Sequence, residues 1–232
     1  MKKNILVLNS GSSSLKYELF GDEKILIKGQ IDAIGSERSA IWTTIGNKKT
    51  EKSKRIKNHK EAINSAIRTI IENNILKHID EINAVGHRVV HGEEKYKKAT
   101  LIDTNVIKDI RKFSELAPLH NPHNLQGILE CRKILKKAKQ VAVFDTSFHH
   151  SIPTEAFLYP IPERLYKKFR IRKYGFHGTS HRYVSHEAAK LLKKKRSKII
   201  TCHLGNGSSI CAVKDGKSVE TSMGFTPLAG IM

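Results

Sequence analysis

Apolar and polar positions set out short segments from the start of the chain. Asn4 to Leu8 is an apolar run that reads as a buried strand, and Leu15, Tyr17 and Leu19 alternate with polar neighbours through a second strand, Leu15 to Phe20. Gly21-Asp22 turns the chain and Ile25 to Lys28 begins a third strand. After a more polar stretch, Ile41 to Ile45 is a further strand candidate. Apolar residues at 62/63, 66/67 and 70/71 then mark a helix within Lys60 to Leu76. Ala84 to Val90 reads as a strand, Val106 to Phe113 and Leu125 to Leu135 as helices, and Val141 to Phe144 as a buried strand. This alternation predicts an α/β domain over residues 1–150.

Ser151 to Lys173 carries Pro153, Pro160 and Pro162 and reads as irregular. Ser180 is placed to cap a helix running through Ala188, Ala189, Leu191 and Leu192. Ile199 to Leu204 is a strand, Gly205-Asn206-Gly207-Ser208-Ser209 a small polar turn, and Ile210 to Val213 and Ser218 to Thr221 the arms of a hairpin turning at Asp215-Gly216. This unit repeats the first one, in which Asn9-Ser10-Gly11-Ser12-Ser13-Ser14 separates a buried strand from a hairpin turning at Gly21-Asp22. Two copies of one domain plan are expected, with residues 151–232 the beginning of the second copy and that second domain incomplete.

Composition narrows the class. The 232 residues are 39% hydrophobic, enough for a sizeable core. Cys131, Cys202 and Cys211 are scattered and form no C-x-x-C pair, which argues against a disulfide framework or a zinc ribbon. The short apolar run after Lys3 is no signal peptide, and no later run could span a bilayer, so a reduced, cytoplasmic protein with no membrane partner is expected. Lys and Arg number 42 against 22 Asp and Glu, a net charge of +20. The cations are mostly lysines spread over many segments. The densest runs, Lys133 to Lys137 and Lys193 to Arg196, follow helical patterns, where cations suit the helix C-terminus. Aromatic residues are not interleaved with them as base-stacking surfaces require, so a lysine-rich surface is expected and no nucleic-acid partner.

A Gly/Ser/Asn turn after a buried strand can aim backbone N–H groups and hydroxyls at phosphate, or can simply be a tight hairpin. Two matched turns suggest a phosphate chain held from two lobes, with Lys16 adding a charge. Gly216-Lys217-Ser218 is not a Walker A loop, since Cys211 stands where that loop needs glycine. His177 and His181 are four apart like a zinc pair, but no Glu follows His177. Asp145 ends a strand, where a carboxylate faces a ligand crevice or caps the next turn. Arg88, in an apolar strand, needs an anion: a small carboxylate ligand or an internal salt bridge.

Asn9 to Tyr17, Gly86-His87-Arg88-Val89-Val90-His91-Gly92, Ala117 to Asn124, Val143-Phe144-Asp145-Thr146, Tyr174 to Ser185, Cys202 to Ser209 and Glu220 to Leu228 resemble the acetokinase family in order and along the whole chain. The resemblance implies a duplicated sugar-kinase/actin-like (ribonuclease H-like) α/β fold and Mg²⁺-dependent phosphoryl transfer between ATP and acetate, giving acetyl phosphate and ADP. It implies that Arg88 holds the acetate carboxylate, that Val90, Leu119, Phe176 and Pro227 form the pocket for its methyl group, and that His177 donates to the phosphoryl group. Asp145 would act at the catalytic centre and Asn9 lie near Mg²⁺. Ser12, Ser14 and Lys16 would face the ATP phosphates from one lobe, and His203, Leu204, Gly205, Asn206 and Gly207 from the other. A homodimer is also implied. The family pattern has glycine where Glu93 stands and glutamate where Ala229 stands, and it runs on to further motifs: an arginine bracing the phosphoryl group, an adenosine site and a metal-binding glutamate. This chain alone is therefore expected to be poorly active. The alternative is a non-catalytic remnant, or one half of a split short-chain acyl kinase that pairs with a separate C-terminal chain.

Overall fold

The computed structural model describes residues 3–194 and 196–231. The chain divides into two compact units, one of residues 1–89 and 100–143, the other of residues 90–99 and 144–232.

The first unit is built on an eight-stranded sheet. Its strands are β1 (Asn4–Ser10), β2 (Leu15–Gly21), β3 (Lys24–Asp32), β4 (Ser39–Ile45), β5 (Lys48–Lys54), β6 (Ile82–Val89), β7 (Thr100–Leu101) and β8 (Lys139–Phe144), in the order β5-β4-β3-β2-β1-β6-β8-β7. β1 to β5 form an antiparallel meander, and β6 joins β1 in parallel. Helices α1 (His59–Glu72), α2 (Thr104–Lys112) and α3 (Asn121–Ile134) complete the unit. Asn58 starts α1 by accepting the Glu61 N–H at 3.0 Å, and Asp103 starts α2 by accepting the Val106 N–H at 2.8 Å. Leu6, Leu8, Leu15, Tyr17, Leu19, Ile27 and Ile31 of the sheet pack with Ile63, Ala66 and Ile70 of α1 and Cys131 of α3 in one core. β1 is buried on one face only: Ile5 and Val7 are 40% and 39% exposed.

β5 has no counterpart in the expected elements. All seven of its residues are exposed, so it carries no apolar alternation. Its four lysines instead fit a sheet edge that must not pair with another chain.

In the second unit β9 (Lys198–His203), β10 (Ser209–Lys214) and β11 (Lys217–Thr221) form an antiparallel sheet in the order β11-β10-β9. The stretch read as irregular holds two short helices, α4 (Thr154–Phe157) and α5 (Glu163–Phe169). Pro153 and Pro162 stand just before their first residues, where the missing N–H of proline costs nothing. The main helix, α6, runs Gly178–Leu191. Ser180 is therefore inside its first turn and not its cap. That place belongs to His177, in the left-handed conformation at φ 57° and ψ 21°.

The repeat extends to fine detail. Each hairpin turns on two residues of positive φ, Asp22 and Glu23 at 47° and 69°, and Asp215 and Gly216 at 52° and 75°, the geometry that matches strand twist. The first turn thus lies one residue beyond Gly21, which ends β2 against the Leu26 side chain. In each outgoing strand the register shifts at the third residue, Leu26 in β3 and Val219 in β11, so each copy has its bulge at the same place. Among the described residues no helix is long and apolar enough to cross a membrane.

Gly29 on β3 lies beneath the ring of the buried Tyr17, and a Cβ there would sit 2.5 Å from its Cζ. Gly29→Ala is expected to displace the ring and cost about 1–3 kcal/mol, read as a lower urea midpoint with an unchanged slope.

Candidate active site

In the first unit the Ser/Gly turn that follows β1 is held by two helices. His59 at the start of α1 donates its Nε2–H to the Gly11 carbonyl at 2.7 Å, and Asn124 of α3 donates to the Ser10 carbonyl at 2.8 Å. Gly127 of α3 lets that helix approach so closely that any Cβ would collide with the Ser10 hydroxyl. Gly11 N–H closes the turn on the Ser14 carbonyl at 2.9 Å. On this frame Ser12 is exposed and Ser14 half-buried. Asn9 and Lys16 face each other across β1 and β2, so their side chains share one side of the sheet. Arg88 is half-buried on β6 between the buried His87 and Val89, and Leu119 is 75% exposed before α3. His87 donates to the Gln140 side-chain oxygen at 2.7 Å while that amide's nitrogen serves the Leu135 and Ala138 carbonyls.

In the second unit the functional candidates gather around the turn 145–151. Asp145 is 1% exposed. Its carbonyl oxygen presses on Gly178 so tightly that no side chain fits at that first residue of α6. His149, four residues on, is clamped from both sides. Its Nε2 meets the Phe176 carbonyl at 2.9 Å and its Nδ1 the Ser218 hydroxyl at 2.8 Å. Since a carbonyl only accepts, Nε2 carries the proton. Ser151 adds a bond from its hydroxyl to the Ser218 carbonyl at 2.7 Å. Thus β11 and α6 fix the turn, and His149 fixes the backbone just before His177.

His177 itself is half-buried. Its Nδ1 lies 2.9 Å from the Ser209 hydroxyl, and its ring stacks on His203 with centroids 4.0 Å apart. Gly207 lies over the same ring, where a Cβ would be 3.3 Å from its Cε1. His203 Nδ1 bonds the Ser180 hydroxyl at 2.9 Å, so Ser180 orients a histidine where a cap was expected. Leu204, Gly205, Asn206 and Gly207 are exposed. The loop is closed beneath them by Ser208, whose hydroxyl donates to the Gly205 carbonyl at 3.0 Å, and by Ile231 N–H on the Ser208 carbonyl at 3.2 Å. Pro227 is half-buried at the start of a single helical turn, Pro227–Ala229.

Val90 is buried beside His91, whose ring packs edge-on against Phe176 at 5.7 Å and Tyr174 at 4.5 Å. Gly92 donates to the Thr146 hydroxyl at 3.1 Å, and Glu94 binds the buried Arg172 at 2.7 Å and the Tyr166 hydroxyl at 3.0 Å, anchoring residues 90–99 within this unit. Glu93 has φ 51°. That conformation favours glycine, and it is where the resembled pattern carries one.

Burial keeps four imidazoles neutral. His87, His91, His149 and His181 are all pushed down to about 4, with loss of hydration the largest cause in each. Asp145 opposes the shift at His149 and His181. Among the described residues no three His, Cys, Asp or Glu side chains come together as a metal cage. The motifs single out Asp145, His177 and the Gly205–Gly207 loop but assign no role to the side chains that support them, His149, Thr201 and Ser209, nor to Asn124 and Gly127, which hold the Ser10 turn. The His149-His150 pair after Asp145 was the available signal.

Each of the four imidazoles takes up a proton on unfolding below about pH 6.5, the ordinary histidine value. Stability is therefore present above that pH and lost as it falls toward 4. Calorimetry at pH 5.5 in two buffers of different ionisation enthalpy should show proton uptake on unfolding, absent at pH 8. Gly127→Ala should drive α3 off the Ser10 turn, seen as faster amide exchange at Gly11 to Ser14 with the β9–β11 amides unchanged.

The acetokinase-family profile matches residues 4–232. The acetate kinase of Acetivibrio thermocellus is 53% identical over 98% of this chain and 59% of its own length, and that of Thermotoga maritima 51% identical over 98% and 58%. Among solved structures, a propionate kinase from Francisella tularensis superposes with TM-score 0.91 at 43% identity, covering 97% of this chain and 58% of its own. The Porphyromonas gingivalis acetate kinase gives 0.88 at 40%, with 97% and 58% covered. The chain spans about three-fifths of the length of the curated relatives it matches.

Proposed function

The chain belongs to the acetokinase family, and from that premise we propose that it serves phosphoryl transfer between ATP and acetate, giving acetyl phosphate and ADP. The observation that carries the reading is the second unit's constellation: a buried carboxylate, Asp145, and a histidine, His177, fixed at the start of α6 beside an exposed glycine loop.

A carboxylate oxygen of acetate attacks the γ-phosphorus, and the bond to the ADP oxygen breaks. Such a transfer asks the protein mainly to position the reactants and to stabilise charge on the equatorial oxygens. Arg88 offers a planar fork that matches a carboxylate. Val90 and Phe176, both buried, and Leu119 and Pro227 supply apolar surface suited to a methyl group. His177 donates to the phosphoryl oxygens as negative charge grows there. Backbone N–H groups of Gly205 to Gly207, with His203 and Leu204, serve one stretch of the ATP phosphates, and Ser12, Ser14 and Lys16 another. Mg²⁺ suits the donors present, since it binds through one or two protein oxygens with water and phosphate completing its shell. Asn9 is the residue proposed to lie near it, and bound there it would neutralise phosphate charge; Asp145 is assigned to the catalytic centre, where it would orient acetate or water.

The test is hydroxylamine trapping of acetyl phosphate by the native protein that carries this chain, given ATP, Mg²⁺ and acetate. Arg88→Ala should raise the acetate KM roughly 10–100-fold, the worth of a lost hydrogen bond to a charged group. His177→Ala should lower kcat roughly 10²–10³-fold with acetate KM little changed. Absence of trapped product from folded protein with every short-chain carboxylate tried would overturn the reading.

A further inference from the structure

Four buried or half-buried polar side chains of the second unit form one unbroken line. The Thr201 hydroxyl lies 3.4 Å from the Cys211 carbonyl and 2.8 Å from His181 Nδ1. His181 Nε2 lies 2.8 Å from the Ser209 hydroxyl, and Ser209 lies 2.9 Å from His177 Nδ1. Thr201, His181 and Ser209 are at most 3% exposed, which leaves water little access to break the line.

We propose that this line is a one-way hydrogen-bond relay that fixes the tautomer of His177, placing its proton on Nδ1, with Thr201, His181 and Ser209 as positioning residues. The direction follows from counting protons. A carbonyl can only accept, so the Thr201 hydroxyl proton goes to Cys211 and its oxygen accepts from His181 Nδ1–H. His181 is neutral, because burial disfavours its charged form and the neighbouring His149, His177 and His203 add to the effect, against Asp145. It has one N–H, already spent, so its Nε2 accepts the Ser209 proton. Ser209 then has none left to give, and its oxygen accepts from His177 Nδ1–H. The anchor is rigid, since Cys211 lies within β10 and Thr201 opposite it on β9.

The consequence, which rests on the phosphoryl-transfer reading, concerns the other nitrogen. Neutral His177 presents a lone pair at Nε2, and it donates from Nε2 only as the imidazolium. A hydrogen bond from there to a phosphoryl oxygen therefore delivers a full positive charge.

The test needs neither substrate nor turnover, so failure of the kinase reading leaves it intact. Histidine-¹⁵N-labelled chain is studied by long-range ¹H–¹⁵N correlation at a pH where His177 is neutral, with His177→Gln giving the assignment. The expected pattern is a protonated Nδ1 and a bare Nε2. Thr201→Val keeps the volume but removes the oxygen, and it should shift His177 toward the Nε2–H form, while Thr201→Ser restores the original pattern. An Nε2–H ring in the unaltered chain, or no change in Thr201→Val, overturns the proposal. Should Thr201→Val not fold, the tautomer of the unaltered chain decides alone.

Discussion

A buried neutral imidazole is a single donor and a single acceptor set about a rigid ring, and much of this protein is arranged around that fact. Each ring must find one group that accepts and one that gives, or lose the cost of its burial. His149 meets the demand with the Phe176 carbonyl and the Ser218 hydroxyl, and so ties the turn 145–151 to the residue before His177 and to β11. His87 meets half of it with Gln140, whose own amide nitrogen is spent on two carbonyls. The same rule applied to His181 orders the hydroxyls of Thr201 and Ser209. Candidate chemistry at His177 and Asp145 thus depends on side chains that would touch no substrate themselves.

The two Gly/Ser loops have one plan and different supports. The turn after β1 is braced from outside by helices, through His59, Asn124 and Gly127. The turn after β9 is braced from its own neighbourhood, through Ser208, Ile231 and the stacked pair His177 and His203. A loop that must offer backbone N–H groups to an anion cannot satisfy itself with regular structure, so something beside it has to hold its shape. The braces differ because the elements that follow each copy differ.

Most of the strands and the helices α1 and α2 were legible in the sequence because their apolar residues fall on one buried face, whereas α6 was read from Leu191 and Leu192, which are exposed at its end. Leu15, Tyr17 and Leu19 could point nowhere but into a core, and Ile63, Ala66, Ile67 and Ile70 mark one helix face. β5 was not legible, since a strand with no buried residue leaves no alternation to read. The helices α4 and α5 were hidden by prolines that break a helix from inside yet suit its beginning. Ser180 was misplaced by three residues because serine caps well, whereas the residue found before the helix, His177, is held left-handed by its contacts and not by preference. For the site, the motifs named buried candidates, Asp145 and Phe176, as well as the exposed Leu204 to Gly207. They gave no role to Ser209, which ends one of them, or to Thr201, because that role is visible only when two strands and a helix bring them to His181.

The matched bulges bear on how the chain reaches this state. A two-residue turn followed by a bulge at the third position admits one register, and both hairpins close across a few residues of chain. Such pairs form in about 1–10 μs. The parallel pairing of β1 with β6 brings Ile5 to Ala84 across everything that lies between, and a long closure of this kind is slow because entropy is lost before contacts repay it. The hairpins are thus fitted to fold early and locally, with β6, and β8 and β7 beyond it, joining the larger sheet later.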